Sequence, residues 1–195
     1  NNEPQSAYSL KASIRNKRLL ASSALGVAAL GLTVGLLRGY PNGQPIAFDS
    51  ASRIAYMLVT VVICMAIVLI CLSGRTGFMT TGIWIMLLCL ACLAITSFAA
   101  FPDSLSIGAI FATSLNALTV GYCYYLTIEF MTHGWRDPYY YAFSGWIVYF
   151  VTRAFARIVL SHITPLNSNT ELTLAIMADA VVASALIIFV RFLND

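Results

Sequence analysis

The amino-acid sequence predicts an all-α, polytopic membrane protein with six transmembrane helices. Three observations carry that prediction. Hydrophobic residues make up 59% of the 195 residues and charged residues only 10%, against about 25% charged in ordinary soluble domains. So few charges cannot cover a water-facing surface without leaving contiguous apolar patches, so the solvent is read as a bilayer. Six runs reach the roughly 20 apolar residues that span about 30 Å of hydrocarbon as helix. The runs are long and continuous, whereas barrel strands would be short and alternating.

Residues 1–18 form a polar, basic segment carrying Lys11, Arg15, Lys17 and Arg18. It shows no signal-peptide cleavage pattern. It begins on Asn rather than Met, which is expected of a segment of a longer chain or of a processed one. Residues 19–195 form the six-helix domain. The predicted helices are Leu19 to Leu37, Ile54 to Leu72, Phe78 to Phe98, Ile107 to Ile128, Tyr140 to Leu160 and Leu172 to Phe192. Proline and glycine punctuate the separators: Tyr40-Pro41-Asn42-Gly43, Ser73-Gly74-Arg75-Thr76-Gly77, Phe101-Pro102-Asp103, His133 to Pro138, and Thr164-Pro165-Leu166-Asn167.

Basic residues orient such a bundle, because short cytoplasmic segments hold the excess of Lys and Arg. The four cations of the leading segment share a side with Arg75, Arg136 and Arg191. Arg38, Arg53, Arg153 and Arg157 belong to the other side or to the helices. Seven against four places both termini in the cytoplasm.

The fifth helix carries the residues most expensive in lipid. Arg153 and Arg157, at i and i+4, share a face, and Trp146 and Tyr149 lie one to two turns before them. An intramembrane charge faces the bundle interior or a wet cavity. Asp179 is the acid within the sixth helix. With the fifth helix ending near Ser161 and the sixth starting near Thr170, Arg153 and Asp179 lie about 12–14 Å from the same end. They are expected to form an ion pair, leaving Arg157 without an acid at its own depth. Such a pair is structural on one reading; on the other, the arginines offer charge to a ligand. Snorkelling to headgroups is a third role for Arg157.

The fourth helix bears a polar stripe of Thr113, Asn116, Cys123, Tyr124 and Thr127, expected to face inward as interhelical glue or as a cavity lining. The candidate ligand-binding residues are therefore Trp146, Tyr149, Arg153, Arg157, Asn116 and Tyr124. The third helix has no ionisable side chain of the Asp, Glu, Lys, Arg or His kind and is expected at the periphery. Gly31 and Gly35 form a GxxxG pattern that permits close helix approach. Trp135 with Tyr139, Tyr140 and Tyr141 reads as an interfacial belt. His133 and His162 fall in expected loops and read as solvated. The five cysteines, an odd number, all sit in apolar runs, so no disulfide framework is expected; Cys89 and Cys92 read as packing residues rather than a redox pair. No P-loop, GxSxG, HExxH or paired catalytic carboxylates occur, so no enzyme activity, metal or cofactor is expected. Leu32-Thr33-Val34-Gly35 recurs as Leu118-Thr119-Val120-Gly121; on one reading these are equivalent positions of two three-helix repeats, and on the other, which is favoured, four residues in apolar sequence match by chance.

Val34-Gly35-Leu36-Leu37-Arg38-Gly39-Tyr40-Pro41-Asn42-Gly43 and Asn116-Ala117-Leu118-Thr119-Val120-Gly121-Tyr122 resemble the second half of the membrane region of LuxR-type helix-turn-helix regulators. Arg75-Thr76-Gly77 resembles part of the major-facilitator motif between second and third helices, although Gly74 stands where that motif has an acid. The resemblance implies a major-facilitator-like half, preceded by another six-helix half and followed by a C-terminal DNA-binding domain of the same chain. These residues would then touch lipid and a small molecule with an anionic or strongly polar group, and would make no direct nucleic-acid contact. The implied location is the bacterial inner (cytoplasmic) membrane. The implied function is small-molecule sensing for transcription regulation; the alternative is half of a major-facilitator-like secondary transporter. That arrangement also puts third and sixth helices outside, where Asp179 would hold Arg153 rather than touch a ligand.

Overall fold

The computed structural model describes residues 17–73, 78–166 and 170–190. Six helices appear among them: α1 Lys17–Gly39, α2 Ser50–Leu72, α3 Ile83–Ala100, α4 Leu105–His133, α5 Pro138–Leu166 and α6 Thr170–Ile188. All six are long and apolar enough to cross a membrane, which makes the chain a multi-pass membrane protein. The leading segment up to residue 16, Arg75-Thr76-Gly77 and Arg191 lie outside the described residues.

Local chemistry sets the helix starts. Asp49 caps α2, its Oδ1 accepting from the Ser52 N–H at 3.0 Å. That bond supplies a partner to a first-turn N–H that has none within the helix. Asp137 accepts from the Tyr139 N–H at 2.8 Å, with Pro138 in the first helical position, where its missing N–H costs nothing. A π-helical turn, Phe78–Gly82, leads into α3.

The fifth helix differs most from expectation. It runs to Leu166 rather than ending at Leu160. Pro165 falls in its last turn, where the missing N–H leaves one carbonyl without its helical partner rather than breaking the helix. The Thr164 hydroxyl donates to the Pro41 carbonyl at 3.1 Å, tying this last turn to the segment after α1. His162 is consequently helical, with Nδ1 2.8 Å from the Ile158 carbonyl. His133 ends α4 and pairs with Glu129 at 3.4 Å, one turn back.

α1 is the hub. It packs on α5 along most of its length, and also on α6, α4 and α3. Leu30, Val34 and Leu37 from α1, Trp84, Leu87 and Phe98 from α3, and Leu115 from α4 form the core with almost no exposure. Tyr40 closes one end against Phe98, ring centroids 4.8 Å apart. The expected peripheral place of the third helix is therefore corrected: α3 is a core helix, and α2 buries only Ser52. Absence of charge cannot separate the two cases, because a lipid-facing helix and a core helix are equally apolar. What separates them is shape, since Ala91 and Ala94 let α3 sit close to its neighbours.

The packing has a partial internal symmetry. α1 lies on α5 and α6, and α4 lies on α2 and α3; exchanging helices 1–3 with 4–6 maps the first set onto the second. The α4–α5 contact has no counterpart of similar extent between α1 and α2. Thr33 and Thr119, at matching positions of the repeated tetrapeptide, are both buried.

Candidate functional site

The glycines of α1 decide how α5 docks. Gly31, Gly35 and Gly39, with Gly43 just after the helix, recur every four residues and all face α5. A Cβ built at Gly35 would lie 2.5 Å from the Arg153 carbonyl oxygen and 2.7 Å from the Ala156 Cβ. Only a glycine allows that approach. It brings Arg153 and Arg157 against the body of the bundle. The GxxxG reading was therefore a true packing signal, and the series extends two glycines beyond it.

At mid-bundle, Asn116 of α4 meets α5. Its Oδ1 accepts from Arg153 Nη1 at 2.8 Å and from the Tyr149 hydroxyl at 3.0 Å. Tyr149 is fully buried. A carbonyl oxygen has two lone pairs, and here both are used. The Arg153 guanidinium also stands 5.8 Å from the Phe150 ring centroid.

The expected Arg153–Asp179 ion pair is not formed. Asp179 lies on the exposed side of α6, opposite Thr173, Met177, Val181 and Ser184, which face inward. α6 packs on α1 and α3, with no substantial contact to α5. The two residues do not share a depth, because α5 continues past Ser161 to Leu166. Measured to Leu166, Arg153 lies 13 residues from its helix end, about 20 Å, whereas Asp179 lies nine residues from Thr170, about 14 Å.

Arg157 is not left over either. Its Nε and Nη2 both donate to the Gly43 carbonyl, at 3.3 and 3.2 Å. The guanidinium fork thus holds the segment that follows α1. Of the remaining candidates, Tyr124 points outward, with its ring 6.4 Å from that of the half-buried Trp146. The α4 stripe divides: Asn116 bonds α5, Cys123 and Thr127 are buried, and Tyr124 is exposed.

Two cavities accompany this network. One, of 140 Å³, is apolar apart from hydroxyl and thiol groups and lies between the first halves of α1 and α5 and the second half of α4. The other, of 280 Å³, lies between the end of α1, the start of α2 and the first half of α4. Arg38, Arg53, Tyr56 and Thr113 supply its polar lining. Arg38 is close enough to Arg153 and Arg157 to feel both charges. Among the described residues, none of the four arginines Arg38, Arg53, Arg153 and Arg157 has a carboxylate within ion-pair distance. Nearby Asp49 spends itself on Ser52, whose side chain and backbone hold its carboxyl below the usual carboxylate range.

By sequence alone, Arg38 and Arg53 are only topological charges. The signal that could have joined them was position: the last turn of one helix and the first turn of the next share a membrane level. The aromatic belt is partly a packing device, since Tyr141 is buried against Phe130, with centroids 5.6 Å apart, while Tyr139 and Tyr140 are exposed. All five cysteines are free, and only Cys123 is buried. Compared with known proteins, the chain matches no family model, no curated protein and no solved structure.

Proposed function

We propose that these residues are the membrane-embedded, small-molecule-sensing half of a LuxR-type transcriptional regulator, set in the bacterial inner membrane with both ends cytoplasmic. The observation that carries the ligand part of this reading is uncompensated charge. Arg38, Arg153 and Arg157 gather near one another, with no described carboxylate paired to any of them. Like charges that reach one another in a poorly solvated bundle repel, and an anionic group would relieve that repulsion. Asn116 and Gly43 satisfy hydrogen bonds of Arg153 and Arg157 but bring no negative charge.

Binding would act by favouring one of two arrangements of the bundle, which requires different affinity for the two. The regulator part of the proposal rests on the resemblance of residues 34–43 and 116–122. A reporter fused to a regulated promoter, read beside a membrane-abundance blot and titrated with a panel of small carboxylates, tests it. Arg153→Gln at normal abundance is expected to flatten the response. An unchanged response across the panel would remove the sensing role.

A secondary transporter half is the second reading. The exchange symmetry between helices 1–3 and 4–6 favours it, since repeated three-helix units build alternating-access carriers. Gradient-driven uptake into proteoliposomes by the whole protein would replace the sensor with a carrier.

A further inference from the structure

The geometry points to the 280 Å³ cavity between α1, α2 and α4 as the seat of an amphipathic anion: one carboxylate, phosphate or sulfate group on a short apolar chain. The inference rests on the reading that the domain binds an anionic molecule, and it moves the binding site away from Trp146 and Tyr124.

Four polar side chains line the cavity, and none spends its donors elsewhere. Arg38, Arg53, the Tyr56 hydroxyl and the Thr113 hydroxyl make no side-chain hydrogen bond or ion pair among the described residues. The contrast with the mid-bundle arginines is direct, because Arg153 and Arg157 donate to Asn116 and Gly43. A guanidinium carries five N–H donors and keeps its charge. Half-buried Arg38, with two more arginines nearby, is the group for which an incoming anion does most.

The rest of the lining is apolar: Leu37, Ile46, Phe48 and Met57 stand among the walls, with small Ala109 and Ala112 leaving the space. A bare inorganic anion would gain nothing from those walls, and an uncharged lipid would leave the arginines unanswered. The volume falls just below that of usual ligand cavities, which run about 300–1,000 Å³, so one short chain fits better than a two-chain lipid. Arg53 and Met57 are exposed at the rim, which opens the cavity sideways. Arg38 in the last turn of α1 and Arg53 in the first turn of α2 hold the anionic end near the helix ends, where headgroups lie.

The same chemistry could come from a free amphiphile or from an anionic bilayer lipid, and the test separates them. The whole protein, in nanodiscs of phosphatidylcholine, is titrated calorimetrically with decanoate, with empty nanodiscs subtracted. Saturable binding is expected, with decanol and acetate at least tenfold weaker. Arg38→Gln is expected to weaken decanoate at least tenfold, and Arg53→Gln less. Met57→Trp blocks the mouth from an exposed position and is expected to give the same loss as Arg38→Gln with the core intact. In nanodiscs containing phosphatidylglycerol, retained affinity identifies a free amphiphile, and competitive loss identifies the lipid; both support the site. Decanoate binding that ignores Arg38→Gln and Met57→Trp, or that decanol matches, overturns it. If that binding instead disappears in Arg153→Gln, the anionic-ligand reading survives and this cavity does not. Absence of binding by any anion defeats both.

Discussion

Arg153 and Asn116 meet at 2.8 Å in the middle of the bundle, Nη1 donating to Oδ1, and that bond joins α5 to α4. A hydrogen bond to a charged group contributes about 1.5–3 kcal/mol. Asn116→Ala is expected to destabilise the protein by about that amount, because it also strips the Tyr149 hydroxyl of its acceptor. In a double-mutant cycle, Asn116→Ala and Arg153→Gln should couple. Arg153→Gln and Asp179→Asn should simply add. Thermal melts in a neutral detergent read both, and coupling of Arg153 to Asp179 would contradict the observed arrangement.

Glycine substitutions should separate the two copies of the repeated tetrapeptide. Gly35→Ala places a methyl against the Arg153 carbonyl and Ala156, so α5 must shift, at about 1–3 kcal/mol of overpacking. Gly121→Ala meets nothing within 4 Å, so it should gain the helix preference of alanine, about 0.8–1 kcal/mol. Melting temperatures moving in opposite directions are the expected result; a fall in both would mean that something packs on Gly121.

Arg157→Lys keeps the charge and loses the fork. Two N–H groups of Arg157 share the Gly43 carbonyl, and a lysine ammonium cannot reproduce that planar pair. Faster amide exchange and easier proteolysis are expected across residues 41–49, with little change inside α3. Protection equal to wild type would show that the fork does not hold this segment.

Acid should loosen the start of α2. Asp49 caps it as a carboxylate, held below its ordinary pKa by Ser52. A depressed folded-state pKa means the contribution is present above the unfolded value and is lost as pH falls through the folded one. The protection factor of the Ser52 amide, the unstructured exchange rate at a given pH divided by the observed one, should therefore fall on acidification below the ordinary carboxylate range, and Asp49→Asn should flatten that dependence.

Orientation is tested by labelling. Single cysteines at Asn42 and Ser104, in a background without the native five, are expected to react with an impermeant maleimide from outside intact cells. One at Gly134 should stay protected. The reverse pattern would invert the bundle.

The six crossings and their order belong to the sequence alone. Hydropathy is a property of each residue, and twenty apolar residues in lipid have no alternative to a helix that satisfies its own backbone. The need of Asn116 for a partner and the close approach at Gly31 and Gly35 were legible for the same kind of reason: an amide in lipid must bond, and a missing side chain must admit something. Partners were not legible, because they depend on which faces meet. Helix α5 runs six residues beyond Leu160, and that moved Arg153 away from the depth of Asp179. α6 packs on α1 and α3, and that turned Asp179 outward. Arg38 and Arg53 are 15 positions apart in a chain whose periodicity says nothing of how α1 and α2 are both set against α4. Only tertiary packing placed both on one cavity, because lateral helix arrangement follows from small differences in shape that a run of apolar letters does not encode.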